Sequence, residues 1–324
     1  MTFAERTVGS PDARDLARAA TRIRSLLAPT PLVDTDAASG AALKLECWQP
    51  TGSFKVRGAL WSLTELNAAQ RTAGVVTASA GNHALGIAYA AERLGVEATV
   101  VVPTTASPAK VRALRGRRVR LVEHGTDFEA AERHALDLAA EGRTYISAYN
   151  DTAVIAGQAS IASELRAQAA GPLTVVAPVG GGGLVAGLCL VAAQDPEMRI
   201  VGVESASSNA LSAAVAAGRV VPVEVGATVA DGLAGNLEPG SVTPSIVAEH
   251  VYALTAVTEP EIESAMRFLA AHHGLMVEGA GAVALAAVLA GKIDGVGRVV
   301  ALVTGRNVAL PVAARVLRGA GGAA

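Results

Sequence analysis

The sequence predicts an α/β protein built on parallel sheets. Six short runs, at 74–77, 98–102, 119–122, 174–178, 199–203 and 298–303, are rich in β-branched residues and apolar throughout. Strands that do not alternate with polar residues are covered on both faces, as in a parallel sheet. Helix-like segments intervene at about 83–94, 108–115, 127–141, 152–169 and 184–194. Strands separated by helices are joined by crossovers, which gives the α/β class.

The elements follow in chain order. Ser10-Pro11 reads as an N-cap with proline at the first helical position, opening a helix to about Leu27. Pro29-Thr30-Pro31-Leu32 stops it. Arg112 to Arg120 reads as a helix end and a strand edge, and His272-His273 as a helix terminus rather than a metal pair. Gly319–Ala324 is a tail.

The 324 residues are 51% hydrophobic and 17% charged, enough for one large domain or two of moderate size. A net charge of −2 without a basic face excludes electrostatic binding of nucleic acid or an anionic membrane. Cys47 and Cys189 share no CxxC spacing, which points to a reducing compartment. No basic stretch and apolar core mark a secretory signal. The most apolar windows, such as 279–291, are too short for a membrane span. The expected location is the cytoplasm.

Five local patterns carry chemistry. Gln49-Pro50-Thr51-Gly52-Ser53-Phe54-Lys55 sets a lysine in a tight small-residue turn at a helix start. A partly desolvated lysine amine forms Schiff bases with carbonyl compounds. Gly180-Gly181-Gly182-Gly183-Leu184 follows an apolar strand and opens a helix. There the backbone N–H groups and the helix N-terminus can hold an anion. It is neither a Walker A loop nor GxGxxG. Ser79-Ala80-Gly81-Asn82-His83, again between strand and helix, offers donors for a carboxylate or simply caps the helix. Thr304 ends a strand within Leu302–Asn307, and Glu278 stands before Gly279-Ala280-Gly281 at a helix entrance; capping would account for each alone.

With these motifs in this order, the chain resembles the pyridoxal-phosphate enzymes of fold type II, the tryptophan synthase β-like group. Within it, the chain resembles the threonine/serine dehydratases, from about Pro31 to Leu310. The resemblance implies two α/β domains, each with a parallel sheet, and the cofactor in the cleft between them. The larger would comprise 1–71 and 148–324, and the smaller, inserted domain 72–147. Lys55 would hold pyridoxal 5'-phosphate and remove the substrate's Cα proton, with Phe54 flanking the ring. Asn82 would bond the cofactor's phenolic oxygen. Gly180, Gly181, Gly182, Gly183 and Leu184 would bind the phosphate. Ser79, Ala80, Gly81 and His83 would form the turn for the substrate carboxylate, and Thr304 would face the pyridine nitrogen. A hydroxyl cannot keep that nitrogen protonated, so the ring is a weaker electron sink and loss of a β-hydroxyl is favoured.

The implied activity is α,β-elimination of a small β-hydroxy amino acid, L-threonine or L-serine by default, giving a 2-oxo acid and ammonia. Val56, where the synthases carry aspartate, points to the dehydratase branch. Ala80 stands where racemases carry a serine. Glu204 matches one metal-binding carboxylate of the divalent-metal members, but Ala210 replaces the second, so no metal is expected. Gln158-Ala159-Ser160 and Arg306 also depart from the family pattern. So does Asp231–Ser241, which is expected around the substrate's side chain. Open alternatives are a substituted substrate (hydroxyaspartate, phenylserine or a hydroxyectoine-derived amino acid), racemisation, β-replacement or a non-catalytic binder. A homodimer is expected, without an appended amino-acid-binding domain or feedback by isoleucine.

Overall fold

The computed structural model describes residues 6–35 and 40–319, so the expected tail, Gly319–Ala324, lies outside the described residues except for Gly319. The chain opens with α1 (Ala13–Leu26), β1 (Leu32–Asp34), β2 (Ala42–Lys44) and a 3₁₀ turn at Glu46–Trp48, followed by α2 (Lys55–Thr64) and α3 (Ala68–Ala73). Next come β3 (Val75–Ala78), α4 (Asn82–Leu94), β4 (Ala98–Val102), α5 (Pro108–Arg115), β5 (Arg120–Glu123), α6 (Phe128–Ala140) and β6 (Thr144–Tyr145). α7 (Thr152–Gln168), β7 (Leu173–Pro178), α8 (Gly183–Ala192), β8 (Met198–Ser205), α9 (Ala210–Ala217) and α10 (Thr243–His250) follow. β9 (Ala253–Val257), α11 (Glu259–His273), α12 (Gly279–Leu289), β10 (Arg298–Leu302) and α13 (Leu310–Arg318) complete it.

The strands form two sheets. One has the order β1-β2-β10-β7-β8-β9, with only β1 antiparallel to its neighbour. The other, β5-β4-β3-β6, is parallel throughout. All six expected strands form, as β3, β4, β5, β7, β8 and β10. The larger sheet is apolar on both faces. Val175 and Ala177 join one core with Ile155, Leu165 and Leu188, whereas Val176 joins another with Val203, Ile262 and Val283. That split follows the two-residue alternation of a strand.

The first helix is capped differently from the sequence expectation. Asp12, not Ser10, is its N-cap: its carboxylate accepts from the Asp15 N–H, and the Asp15 carboxylate accepts from the Asp12 N–H. This reciprocal cap satisfies two donors that Ser10 stands too early to reach. Among the described residues no helix is long and apolar enough to cross a membrane.

Three helices meet almost backbone to backbone. A Cβ added at Gly157 of α7 would lie 2.6 Å from the Cα of Gly58 on α2. One added at Gly187 of α8 would lie 2.6 Å from the carbonyl oxygen of Ile155 on α7. α7 therefore ties the helix that begins with Lys55 to the helix that follows the glycine turn. Overpacking a tight seam typically costs about 1–3 kcal/mol. Gly157→Ala is expected to lower the urea midpoint correspondingly without changing the slope; an unchanged midpoint would show that the seam has slack.

Candidate active site

The lysine turn is clamped to the end of β10. Phe54 N–H donates to the Thr304 carbonyl at 3.1 Å, Arg306 N–H to the Gly52 carbonyl at 2.9 Å, and Ser53 bridges Gly305. Asn307 Nδ2 donates to the Thr51 carbonyl at 2.9 Å. Gly52 turns the chain with φ +77, and a Cβ there would strike Asn307 Oδ1 at 2.5 Å. A side chain would thus be both strained and obstructed.

Lys55 is the first residue of α2. Its Nζ donates to the Ala148 carbonyl at 2.7 Å and lies 5.2 Å from the centre of the Phe54 ring. Burial pulls the amine down to about 8. A neutral, nucleophilic fraction is therefore present near neutral pH.

The turn between β3 and α4 presents an uncapped helix N-terminus. Gly81 is the N-cap and supplies no side chain, while Ser79 Oγ accepts from the Gly81 N–H at 3.1 Å. Capping by Ser79 or Asn82 is thus not the arrangement. The first-turn N–H groups have no partner inside the helix and can receive an anion. Ser79, Ala80 and Gly81 are partly exposed, but the His83 ring is buried. Its Nε2 lies 3.2 Å from the Ile146 carbonyl, so Nε2 carries the hydrogen. Burial and then the Lys55 charge push its pKa down to about 3. His83 therefore brings only its backbone to the turn.

The glycine turn is squeezed from two sides. A Cβ at Gly181 would fall 2.3 Å from the Tyr149 ring, and one at Gly183 2.7 Å from the Tyr149 carbonyl oxygen. A Cβ at Gly180 would reach Leu233 Cα at 3.0 Å. Thr243 Oγ1 donates to the Gly181 carbonyl at 2.7 Å. Gly182 is the N-cap of α8, and Leu184, in its first turn, is buried. The turn therefore ends in an α8 N-terminus with no side-chain cap.

Two residues that the motif reading left out of the site complete it. Asn82 Nδ2 donates to Glu278 Oε1 at 2.5 Å, and Asn82 Oδ1 accepts from Asn307 Nδ2 at 2.6 Å. These bonds fix which way the Asn82 amide points and leave one Nδ2 hydrogen to donate. Burial pushes the Glu278 carboxyl up to about 7, against the Asn82 hydrogen bond. Both residues stand in motifs noted in the sequence, but their link to Asn82 spans 196 and 225 positions. A cavity of about 600 Å³ reaches the cluster from this side, lined among others by Ser107, Lys110, Asp231, Glu278 and Asn307. Lys55 does not line it.

Thr304 is buried, and its hydroxyl makes one long bond, 3.4 Å, to the Ala280 carbonyl. Glu204 is occupied as a helix cap: it accepts N–H bonds from Leu211 at 2.9 Å and Ser212 at 3.2 Å, and the Ser212 hydroxyl. Among the described residues no three His, Cys, Asp or Glu side chains group to hold a metal.

The arrangement fits a flat aldehyde with an anionic tail. It offers a partly desolvated amine, an aromatic ring, a glycine cradle that no side chain could share, and two open helix N-termini. Among the described residues, the buried Ser53 Oγ and His83 Nδ1 have no hydrogen-bond partner.

Residues 23–305 match the family described as pyridoxal-phosphate dependent enzyme. The chain is 38% identical over 278 residues to the L-threonine ammonia-lyase of Thermotoga maritima, covering 85% of this chain and 69% of that one. It is 37% identical to the catabolic L-threonine dehydratase of Staphylococcus aureus, covering 91% and 89%. Among solved structures, maize serine racemase aligns with a TM-score of 0.88 at 30% identity, covering 94% and 95%. The processed form of threonine deaminase isoform 2 from Solanum lycopersicum aligns with 0.87 at 30%, covering 99% and 92%.

Glu278 links this site to pH. Its carboxyl titrates at about 7 when folded, against an ordinary value of 4.5. Between those values the folded state holds a proton that the unfolded chain has released, so stability falls as pH rises through the window. The whole window is worth about 3 kcal/mol. In urea unfolding, the stability of Glu278→Gln relative to the parent is expected to rise from about pH 4.5 to 7 and then level off. A difference independent of pH would contradict this assignment.

Proposed function

The chain belongs to the pyridoxal-phosphate-dependent enzyme family, and we propose that it acts as an ammonia-lyase on a small β-hydroxy amino acid. L-Threonine is the first candidate, as in the relatives' names, and L-serine the second. The reaction is α,β-elimination: the Cα proton and the β-hydroxyl leave, and hydrolysis gives a 2-oxo acid and ammonia. One observation carries the reading. The Lys55 amine, brought down to about 8 by burial, is held by the Ala148 carbonyl, one residue before the Tyr149 against which Gly181 and Gly183 pack.

Each group has a task. The coenzyme, when bound, supplies an aldehyde for amines and a ring that withdraws electrons from the adjoining carbon. Lys55 would hold it, Phe54 would flank it, and Gly180 to Leu184 would bind its phosphate through N–H groups. Asn82, oriented by Glu278 and Asn307, would donate to its phenolic oxygen. The Thr304 hydroxyl would meet the ring nitrogen without a charge, which favours prompt loss of the β-substituent. The Ser79–His83 turn would bind the substrate carboxylate through the α4 N-terminus. Lys55 Nζ would then accept the Cα proton. Ala80 offers no hydroxyl to return a proton from the opposite face, which supports elimination over racemisation.

The segment Asp231–Ser241 is our candidate for substrate selection. Its Leu233 lies against Gly180, and Glu238 accepts from Ser147 Oγ at 2.8 Å, next to the carbonyl that holds Lys55. We assign 72–147 to a smaller domain that closes over the substrate and excludes water, with the coenzyme between it and the remainder. A homodimer in the cytoplasm completes the proposal.

The test is a product assay with added pyridoxal phosphate. The parent is expected to release 2-oxo acid and ammonia from L-threonine or L-serine, with or without EDTA. Lys55→Ala is expected to lose about 10³-fold or more, since it lacks the proton acceptor. No product from any β-hydroxy amino acid, or undiminished product from Lys55→Ala, would overturn it.

A further inference from the structure

A set of buried charges lies on the other side of α2 from Lys55. Arg57 forks onto Glu46, with Nε to Oε2 and Nη2 to Oε1, both at 2.7 Å. Nη2 also reaches Glu164 Oε2 at 2.9 Å, and Nη1 reaches Ser160 Oγ at 3.2 Å. Lys44 Nζ donates to Glu164, and at 2.7 Å to both the Thr30 carbonyl and Gln168 Oε1. Thr30 closes the set, with Oγ1 to Glu46 at 2.6 Å and N–H to Glu164 at 2.8 Å. Arg57 is 1% exposed, and Lys44 and Glu46 are 0%.

Two cations thus balance two carboxylates inside the protein. Desolvating such ions costs several kcal/mol each, and well-packed apolar replacements often match or exceed the stability of a buried pair. Stability alone does not call for four charges here. A two-bond guanidinium fork does fix an angle.

The angle matters because of helix geometry. At about 100° per residue, positions two apart face nearly opposite ways, so Arg57 keys the back of the helix whose front carries Lys55. The seam between α2 and α7 sets the distance between the two helices through glycine backbone, and the guanidinium fork adds the angular constraint. Gly58 meets Gly157 there, and the neighbouring Gln158 amide has no hydrogen-bond partner among the described residues. An amine about 8 Å from the axis moves roughly 1.4 Å for a roll of about 10°. Misplacement of about 1 Å can cost about 10²-fold in rate.

We propose that the Lys44–Glu46–Arg57–Glu164 cluster sets the roll of α2 and is the positioning device for Lys55. This rests on the reading of Lys55 as the reacting amine, but its first readout does not need the coenzyme. Two variants serve: Arg57→Lys, which keeps the charge and loses the fork, and Glu46→Leu/Arg57→Met, which removes one pair together.

In coenzyme-free protein, the pH dependence of Lys55 modification by trinitrobenzenesulfonate is followed by peptide mass. The parent midpoint is expected near 8. In both variants it is expected to rise toward the ordinary lysine value of about 10.4. In the loaded enzyme, kcat for L-threonine is expected to fall about 10²-fold while KM stays within about threefold. Urea midpoints of at least the double variant are expected near the parent's. A shifted Lys55 midpoint with an inactive parent counts against the proposed activity and not against positioning. Folded variants with unchanged Lys55 midpoint and kcat overturn the proposal. Loss of the folded state in both variants also overturns it, because the cluster would then serve stability.

Discussion

The site depends on one constraint: a lysine must be held rigidly and out of water while its amine stays reachable. Backbone bonds between residues 52–54 and 304–306 meet the first need, since they tie the lysine turn to the end of a central strand. The Ala148 carbonyl meets the second by giving the amine one acceptor in place of solvent. Burial then lowers the amine's pKa without an opposing charge. The same clamp brings Thr304 beside Phe54 and lets Asn307 reach both Thr51 and Asn82.

Glycines transmit this order across the fold. The lysine helix and the helix after the glycine turn share α7 as a common surface, at distances that no side chain would permit. Close backbone contact makes relative sliding of the three helices costly, because interiors are packed to near-crystalline density. The spacing between the lysine helix and the glycine turn is thereby set by helix diameters. Tyr149 adds a second wedge: its ring lies under Gly181, and its hydroxyl accepts from the Glu238 N–H at 2.6 Å. The glycine cradle and the candidate selection segment are therefore joined through one side chain.

Much of this was legible in the sequence because it is local. Apolar β-branched runs marked the inner strands of both sheets, β2 aside, and the edge strand β5, and the lysine, glycine and Ser79–His83 turns stand where strand or turn gives way to helix. The missing strands are short or half-buried: β1 and β2 have three residues, β6 two, and β9 is a partly exposed edge. Long-range partners were not legible. Nothing near Asn82 announces Glu278 or Asn307, and nothing near Arg57 announces Glu164, 107 positions on. Side-chain direction was also hidden: the Ser79–His83 motif could not show that the His83 ring turns inward. Glu204 could be questioned as a metal ligand from Ala210 alone, but its engagement by the α9 N-terminus needed coordinates.

The most direct test of the account is to locate the covalent bond to the coenzyme. The protein is mixed with pyridoxal phosphate, reduced with borohydride, digested and sequenced by mass spectrometry. The account predicts one modified residue, Lys55, with labelling blocked by prior modification of that amine. Label on Lys44, Lys110 or Lys292 instead, or no stable label at all, would contradict it.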